Sequence, residues 1–226
     1  MEVRPFADLL NEACARGPRR FTNVELAGAV RSLGGEITHT YISQLRKGDR
    51  DNPTSRTVED LAHALGVHPA YFVGGRHELA AGEHPRWSPQ RLRDLFELVH
   101  PPGRGPYSPE EVASSVGAVS AYGKISPTYI RELISGTSDN PRLKHILGLA
   151  HHFGAEPSYF FDDQLAGRVN EQLQTRHVME RLGVNALILR AHEESLEPAI
   201  GRKIVDALAK ALKVDKPGKG TTDTVS

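Results

Sequence analysis

A stretch of 36 residues occurs twice in this chain, and that duplication constrains the fold more than any other feature. Residues 37–72 align with residues 125–160 at a constant shift of 88 without a gap, and 16 of the 36 positions are identical. Among the identities are Tyr41, Ile42, Leu45, Gly48, Asp51, Asn52, Pro53, Leu61, Ala62, His63, Tyr71 and Phe72. Upstream, Thr22-Asn23-Val24-Glu25-Leu26-Ala27 answers Ser108-Pro109-Glu110-Glu111-Val112-Ala113 at a shift of 86. The second copy therefore carries two extra residues between Val116 and Ile125. A period this long marks two copies of a whole small domain rather than a solenoid.

Both copies read as helical. Thr22 with Glu25, and Ser108 with Glu111, have capping-box spacing, and Pro109 suits a first helical position. Helices are expected near 4–15, 22–33, 38–47, 55–65 and 69–73, and again near 89–99, 108–117, 126–135, 142–153 and 157–163. Gly48, Gly66, Gly136 and Gly154 stand where helices should end. Val58, Leu61, Ala62 and Leu65 form an apolar stripe at helical spacing, and no alternating strand pattern occurs. The Gly-, Pro- and charge-containing residues 76–88 read as a linker, in which Trp87 caps a core edge or joins an inter-domain contact. In residues 164–212, Leu165, Val169, Leu173 and Val178 fall on one helical stripe; further helices are expected at Ala186–Ala191 and around Ile200, Ile204 and Leu208. Three such short helices are marginal alone, so they cover the second copy or pair with another chain. The Gly-, Lys- and Thr-rich residues 213–226 are expected to be disordered.

Composition narrows the function classes. Lys plus Arg is 28 and Asp plus Glu is 28, which excludes a strongly basic, counterion-like nucleic-acid binder but not a local basic patch. No run of eighteen apolar residues is present, so no membrane partner is expected. The opening Met-Glu-Val-Arg-Pro-Phe lacks the apolar core of a secretory signal. Cys14, the single cysteine, sits among Leu9, Leu10 and Ala13 as a small buried thiol; a reducing cytoplasm fits these features.

The helix at 22–33, a short turn and the helix at 38–47 have the spacing of a helix-turn-helix, whose second helix lies in the DNA major groove. At about 100° per residue, Ile42 and Leu45 face the core while Thr40, Ser43, Gln44 and Lys47 face outward, with His39 at the entry. A Gln amide can bond both N6 and N7 of adenine, and Ser and Thr hydroxyls suit either kind of base edge. Arg46, Lys47 and Arg50 lie where a phosphate backbone would run, and Arg19, Arg20, Thr22 and Asn23 lie at the start of the preceding helix. In the second copy the same arc holds Thr128, Arg131, Glu132 and Ser135. Glu132 can accept from cytosine N4 but is repelled by phosphates, and residues 91–163 hold seven Lys or Arg against nine acids. Thr128 and Arg131 are its candidate DNA contacts, and this copy reads as the weaker binder.

The run Thr40-Tyr41-Ile42-Ser43-Gln44-Leu45-Arg46-Lys47-Gly48 resembles the recognition-helix signature of the XRE (Cro/C1-type) family of helix-turn-helix transcription regulators, and Val58 to Val67 fits its fourth helix. That resemblance implies base reading at His39, Thr40 and Gln44 and binding of double-stranded DNA as a dimer. Residues 92–212 also resemble a mycobacterial family of nucleoid-associated regulators, through His100-Pro101-Pro102-Gly103-Arg104-Gly105-Pro106, Asp139-Asn140-Pro141 and Arg190-Ala191-His192. Those proteins have one helix-turn-helix followed by a helical dimerisation region, which implies a homodimer through 164–212, with Leu165, Val169, Leu173, Ile200, Ile204 and Leu208 as its apolar contacts. Residues 1–75 are an addition to that pattern and leave open which head reads DNA.

The expected fold is thus all-α: two tandem lambda-repressor-like helix-turn-helix domains, residues 1–75 and 89–163, plus a C-terminal helical dimerisation region. Two heads per chain and a dimer favour bridging or looping of DNA in the nucleoid. The eleven histidines, among them His63, His145, His151 and His152, form no HExxH, and no CxxC accompanies them, so no metal and no cofactor is expected. Gly103-Arg104-Gly105 lacks a preceding strand and a third glycine, and nothing suggests a nucleophile elbow, so an enzyme is not expected. The competing reading is a helical adaptor that binds a regulatory protein partner without touching DNA.

Overall fold

The computed structural model describes residues 4–16, 20–101 and 103–181, with side chains through 176. The chain divides into two units, Met1–Glu171 and Gln172–Ser226. Within the first unit, α1 (Phe6–Ala15), α2 (Asn23–Ser32), α3 (His39–Lys47), α4 (Ser55–Leu65) and a 3-10 turn (Pro69–Val73) form one set of elements. A second set follows in the same order: α5 (Pro89–Leu98), α6 (Pro109–Ala118), α7 (Pro127–Ser135), α8 (Leu143–Phe153) and a 3-10 turn (Pro157–Phe160). Helix α9, Asp163–Arg181, crosses the boundary between the units. No strand occurs among the described residues; the extended backbone forms only two isolated bridges, Thr54 with Arg142 and Val67 with Glu78.

Each set folds around its own apolar stripe. Leu10, Leu26, Val30, Ile42, Leu45, Val58 and Leu61 are fully buried in the first; Leu92, Leu95, Val112, Ile130, Leu133, Ile146 and Leu149 are fully buried in the second. Both capping boxes form: Thr22 Oγ1 accepts from Glu25 N–H and Glu25 accepts from Thr22 N–H, and Ser108 and Glu111 do the same. Gly48 and Gly136 close α3 and α7 at φ of +79° and +81°, a left-handed conformation that a Cβ would strain.

Packing between the sets is reciprocal. Ser55 N–H donates to Pro141 O at 2.7 Å, and Leu143 N–H donates to Pro53 O at 2.8 Å. The Asn140 side chain accepts from Arg56 N–H at 3.0 Å, and the Asn52 side chain accepts from Lys144 N–H at 2.9 Å. Each asparagine thus satisfies an orphan donor in the first turn of the other set's fourth helix. Arg56 pairs with Asp139 at 3.1 Å and Lys144 with Asp51 at 2.6 Å. The repeated Asp-Asn-Pro is therefore an interface element: Asp meets a cation, Asn caps, and the Pro carbonyl accepts.

Residues 76–88 are packed rather than loose. His68 N–H donates to His77 O at 2.9 Å, and Arg76 pairs with Glu83 and, at 3.0 Å, with Asp162. Trp87 is 7% exposed; its ring stacks on Phe160 at 5.1 Å, and its backbone N–H donates to the Glu59 carboxylate at 2.7 Å. It therefore serves the second core and the junction together. Glu59 lies on α4, and burial pushes its carboxyl above the ordinary range, against the Trp87 N–H and Arg86.

Candidate nucleic-acid interface

Helix α3 has nine residues, too few to persist alone in water, so its place depends on Ile42 and Leu45 beneath it. Both are fully buried, each stabilising the docked helix by roughly 1.5–3 kcal/mol relative to exposure. The turn before α3 is tight: Gly34 N–H bonds Arg31 O, Gly35 N–H bonds Val30 O, and Gly34 has a φ of +86°. Thr38 Oγ1 then caps α3 by accepting from Tyr41 N–H at 3.1 Å.

The residues that the helical wheel turns outward differ in exposure. His39, Thr40 and Lys47 are exposed. Ser43 and Gln44 are half-buried. Lys47 and Arg50 at the far end, and Arg20 before α2, are exposed, with no ion pair to them among the described residues. Arg19 lies outside the described residues.

Three of the residues expected at phosphates, Thr22, Asn23 and Arg46, are engaged within the fold. Arg46 is half-buried and donates to Asn11 Oδ1 at 2.8 Å, to Asn23 Oδ1 at 2.8 Å and to Phe21 O at 3.3 Å. It ties α3 to α1 and to the start of α2, and Asn23 is its acceptor. Thr22 is exposed, but its hydroxyl and N–H serve the capping box. Asn11 Nδ2 donates to Arg46 O at 2.9 Å; in the second set Arg93 donates to the matching Ile134 O at 2.6 Å.

The second edge differs in charge. Thr128 and Arg131 are exposed, and Glu132 is half-buried. Arg131 pairs with Glu110 in the first turn of α6, where the first set has Val24, 67% exposed. Glu110 is held below the ordinary carboxylate range by its own backbone N–H and by Arg131. Beside it, Glu111 is drawn down to about 2 by Arg104 and then by Ser108. Two ionised carboxylates thus occupy the helix start that a phosphate would otherwise favour. The Arg131–Glu110 pair is exposed on both sides and correspondingly weak, so a nucleic-acid acceptor can replace the carboxylate.

Leu165, Val169 and Leu173 lie on α9 and are each half-buried; Ile200, Ile204 and Leu208 lie outside the described residues. The start of α9 is anchored on α5: Tyr159 Oη donates to Arg91 O and bonds Asn170 Oδ1, while Asn170 Nδ2 donates to Asp94. Cys14 is buried, and burial raises its thiol pKa. No group of three or more His, Cys, Asp or Glu suited to a metal ion comes together among the described residues. No helix among them is long and apolar enough to cross a membrane.

Sequence reasoning missed the Arg46 clamp and the reciprocal asparagine caps. The first had no sequence signal, because an arginine at a recognition helix end suits a phosphate equally well. The second had one: Asp51-Asn52-Pro53 and Asp139-Asn140-Pro141 are identical while neighbouring loop residues differ.

Residues 16–72 match a helix-turn-helix family. The chain is also similar to the nucleoid-associated protein EspR of Mycobacterium tuberculosis, in strain CDC 1551 / Oshkosh and in strain ATCC 25618 / H37Rv alike. The identity is 35% over 126 residues, covering 55% of this chain and 92% of each relative.

Proposed function

Because the chain belongs to the helix-turn-helix family of the nucleoid-associated protein EspR, we propose that it is a DNA-binding transcription regulator that places α3 in the major groove. The observation that supports this best is the edge of α3 itself: exposed His39 and Thr40 with Ser43 and Gln44 on the flank, ending in Lys47 and Arg50. Gln44 reads adenine, the hydroxyls read neighbouring edges, and Lys47, Arg50 and Arg20 meet phosphates. Thr128 and Arg131 of α7 make a second, weaker contact once Arg131 leaves Glu110. Residues 164–212 pair two chains, and the paired chains bridge separate segments of the chromosome within the cytoplasm.

Gel-shift titration at several salt concentrations tests this reading. Affinity falls steeply with salt, with a slope near −0.9 per phosphate contacted. Gln44→Ala loses about 1–3 kcal/mol of discrimination at one base pair, whereas Lys47→Ala weakens all sequences alike and reduces the slope by about one. Absence of saturable binding to any duplex, or a Gln44→Ala protein with unchanged affinity and preference, overturns the assignment.

A further inference from the structure

We infer that the two sets within one chain act as a fixed pseudo-dimer, so that a single chain reads two unlike half-sites on one duplex. This rests on the proposed DNA binding by α3 and extends it to the geometry of the target. Three pairs of contacts at the junction are exchanged by one two-fold operation: Ser55–Pro141 with Leu143–Pro53, Arg56–Asn140 with Lys144–Asn52, and Arg56–Asp139 with Lys144–Asp51. The local symmetry reaches the reading helices, because the loops leading from them are built alike. Arg50 N–H bonds Gln44 O at 3.2 Å, and Ser138 N–H bonds Glu132 O at 3.1 Å; Gly48 and Gly136 share the same left-handed φ. The operation that maps residues 51–56 onto 139–144 therefore maps α3 onto α7.

A two-fold pair of helices is what a duplex with its own local dyads accepts in successive major grooves, about 34 Å apart. From Lys47 to Thr54, and from Ser135 to Arg142, the chain runs seven residues, a reach of at most about 25 Å on each side of the Thr54–Arg142 bridge. The required spacing lies inside that span. A second contact holds the arrangement: the two 3-10 turns pack together, Arg76 pairs with Asp162, and Trp87 stacks on Phe160. The heads are thus not tethered independently, and bridging must come from separate chains. The half-sites differ because the reading edges differ: Gln44 suits adenine, whereas Arg131 suits guanine.

The test starts from duplexes that the full chain selects out of a random pool. Two different half-sites centred one helical turn apart are expected, and inserting five base pairs between them should reduce affinity by about 100-fold. The double variant Asn52→Ala/Asn140→Ala loosens the pair; it should lose roughly tenfold on the composite site yet bind an isolated α3 half-site within about twofold of the parent. If one half-site suffices and the insertion changes affinity by less than about threefold while Gln44→Ala relaxes preference at one base pair, α3 reads DNA but the pseudo-dimer is wrong. If no duplex is enriched, both the reading and the inference fail. The spacing series uses the unaltered chain, so it decides between these outcomes even if the double variant does not fold.

Discussion

Replacing Arg46 by Ala separates a structural clamp from a phosphate contact at one position. The guanidinium donates to two side-chain carbonyls at 2.8 Å, on Asn11 and Asn23, and to Phe21 O at 3.3 Å. Hydrogen bonds from charged donors each contribute about 1.5–3 kcal/mol when shielded, and about 1 kcal/mol when water competes. Arg46 is half-buried and the Asn11 bond is exposed, so a loss of about 2 kcal/mol is expected. For a unit of this size that lowers the melting temperature by about 4–8 °C. Equilibrium urea unfolding and a thermal melt measure the loss directly. Arg46→Lys supplies the control, because lysine keeps the charge but cannot reach three acceptors with one planar fork. The clamp reading expects both variants to be destabilised and, at a temperature where they remain folded, to keep the parent's salt slope in DNA binding. If Arg46→Ala melts with the parent while its salt slope falls by about one, and Arg46→Lys restores that slope, the residue is a phosphate contact and the clamp is refuted.

Further outcomes follow from the packing and the buried histidines. A Cβ on Gly148 would stand 2.6 Å from Val116 Cγ1 and 3.1 Å from Tyr122 Cβ, so Gly148→Ala should destabilise the chain by about 1–3 kcal/mol in urea unfolding, and an unchanged midpoint would contradict the close approach of α8 to α6. His68 is fully buried, accepts from Ala70 N–H through Nδ1, and is lowered in pKa by burial first and by Arg76 next, against Glu83 and Asp162. His145 and His152 are lowered too, by burial first. Below the unfolded histidine pKa of about 6.5 the unfolded chain binds more protons at these sites. Their stabilising contribution is therefore present above that pH and is lost progressively as pH falls through the lower folded values. The urea midpoint should drop as pH falls below about 6.5, and His68→Asn, which keeps a cap acceptor, should make the drop shallower; equal pH profiles for the two proteins would refute the assignment to His68.

Much of the local structure was legible in the chain. Capping boxes at Thr22 and Ser108, closing glycines at 48, 66, 136 and 154, and the stripe through Val58, Leu61 and Ala62 placed helix starts and ends within a few residues. These signals are local, because a cap satisfies donors within one turn and an apolar stripe repeats with the helix itself. The hydrophilic edge of α3 was legible for the same reason: Ile42 and Leu45 could only point inward, which turned Thr40 and Lys47 outward. Arg46 was not, because its partners Asn11 and Phe21 are distant in sequence. The two copies also solve one packing problem differently. Gly148 makes room for Tyr122, whereas Asp60 at the matching position stands over Gly35, where a Cβ would lie 2.8 Å from its carboxylate. A large and a small residue have exchanged places, which alignment alone reports only as a mismatch.

The sequence by itself determined that the chain is helical, that a domain-sized unit was duplicated, and which face of α3 is hydrophilic, since periodicity and capping act over a few residues. Only the tertiary structure decided that residues 76–88 are a packed strap, that Arg46 holds helices together, and that the two Asp-Asn-Pro segments bind one another. Those outcomes depend on donors and acceptors far apart in the chain, such as Asn140 with Arg56 and Arg76 with Asp162, finding partners once both cores have closed. A repeated motif shows that a segment is needed twice; its contacts show that the two copies need each other.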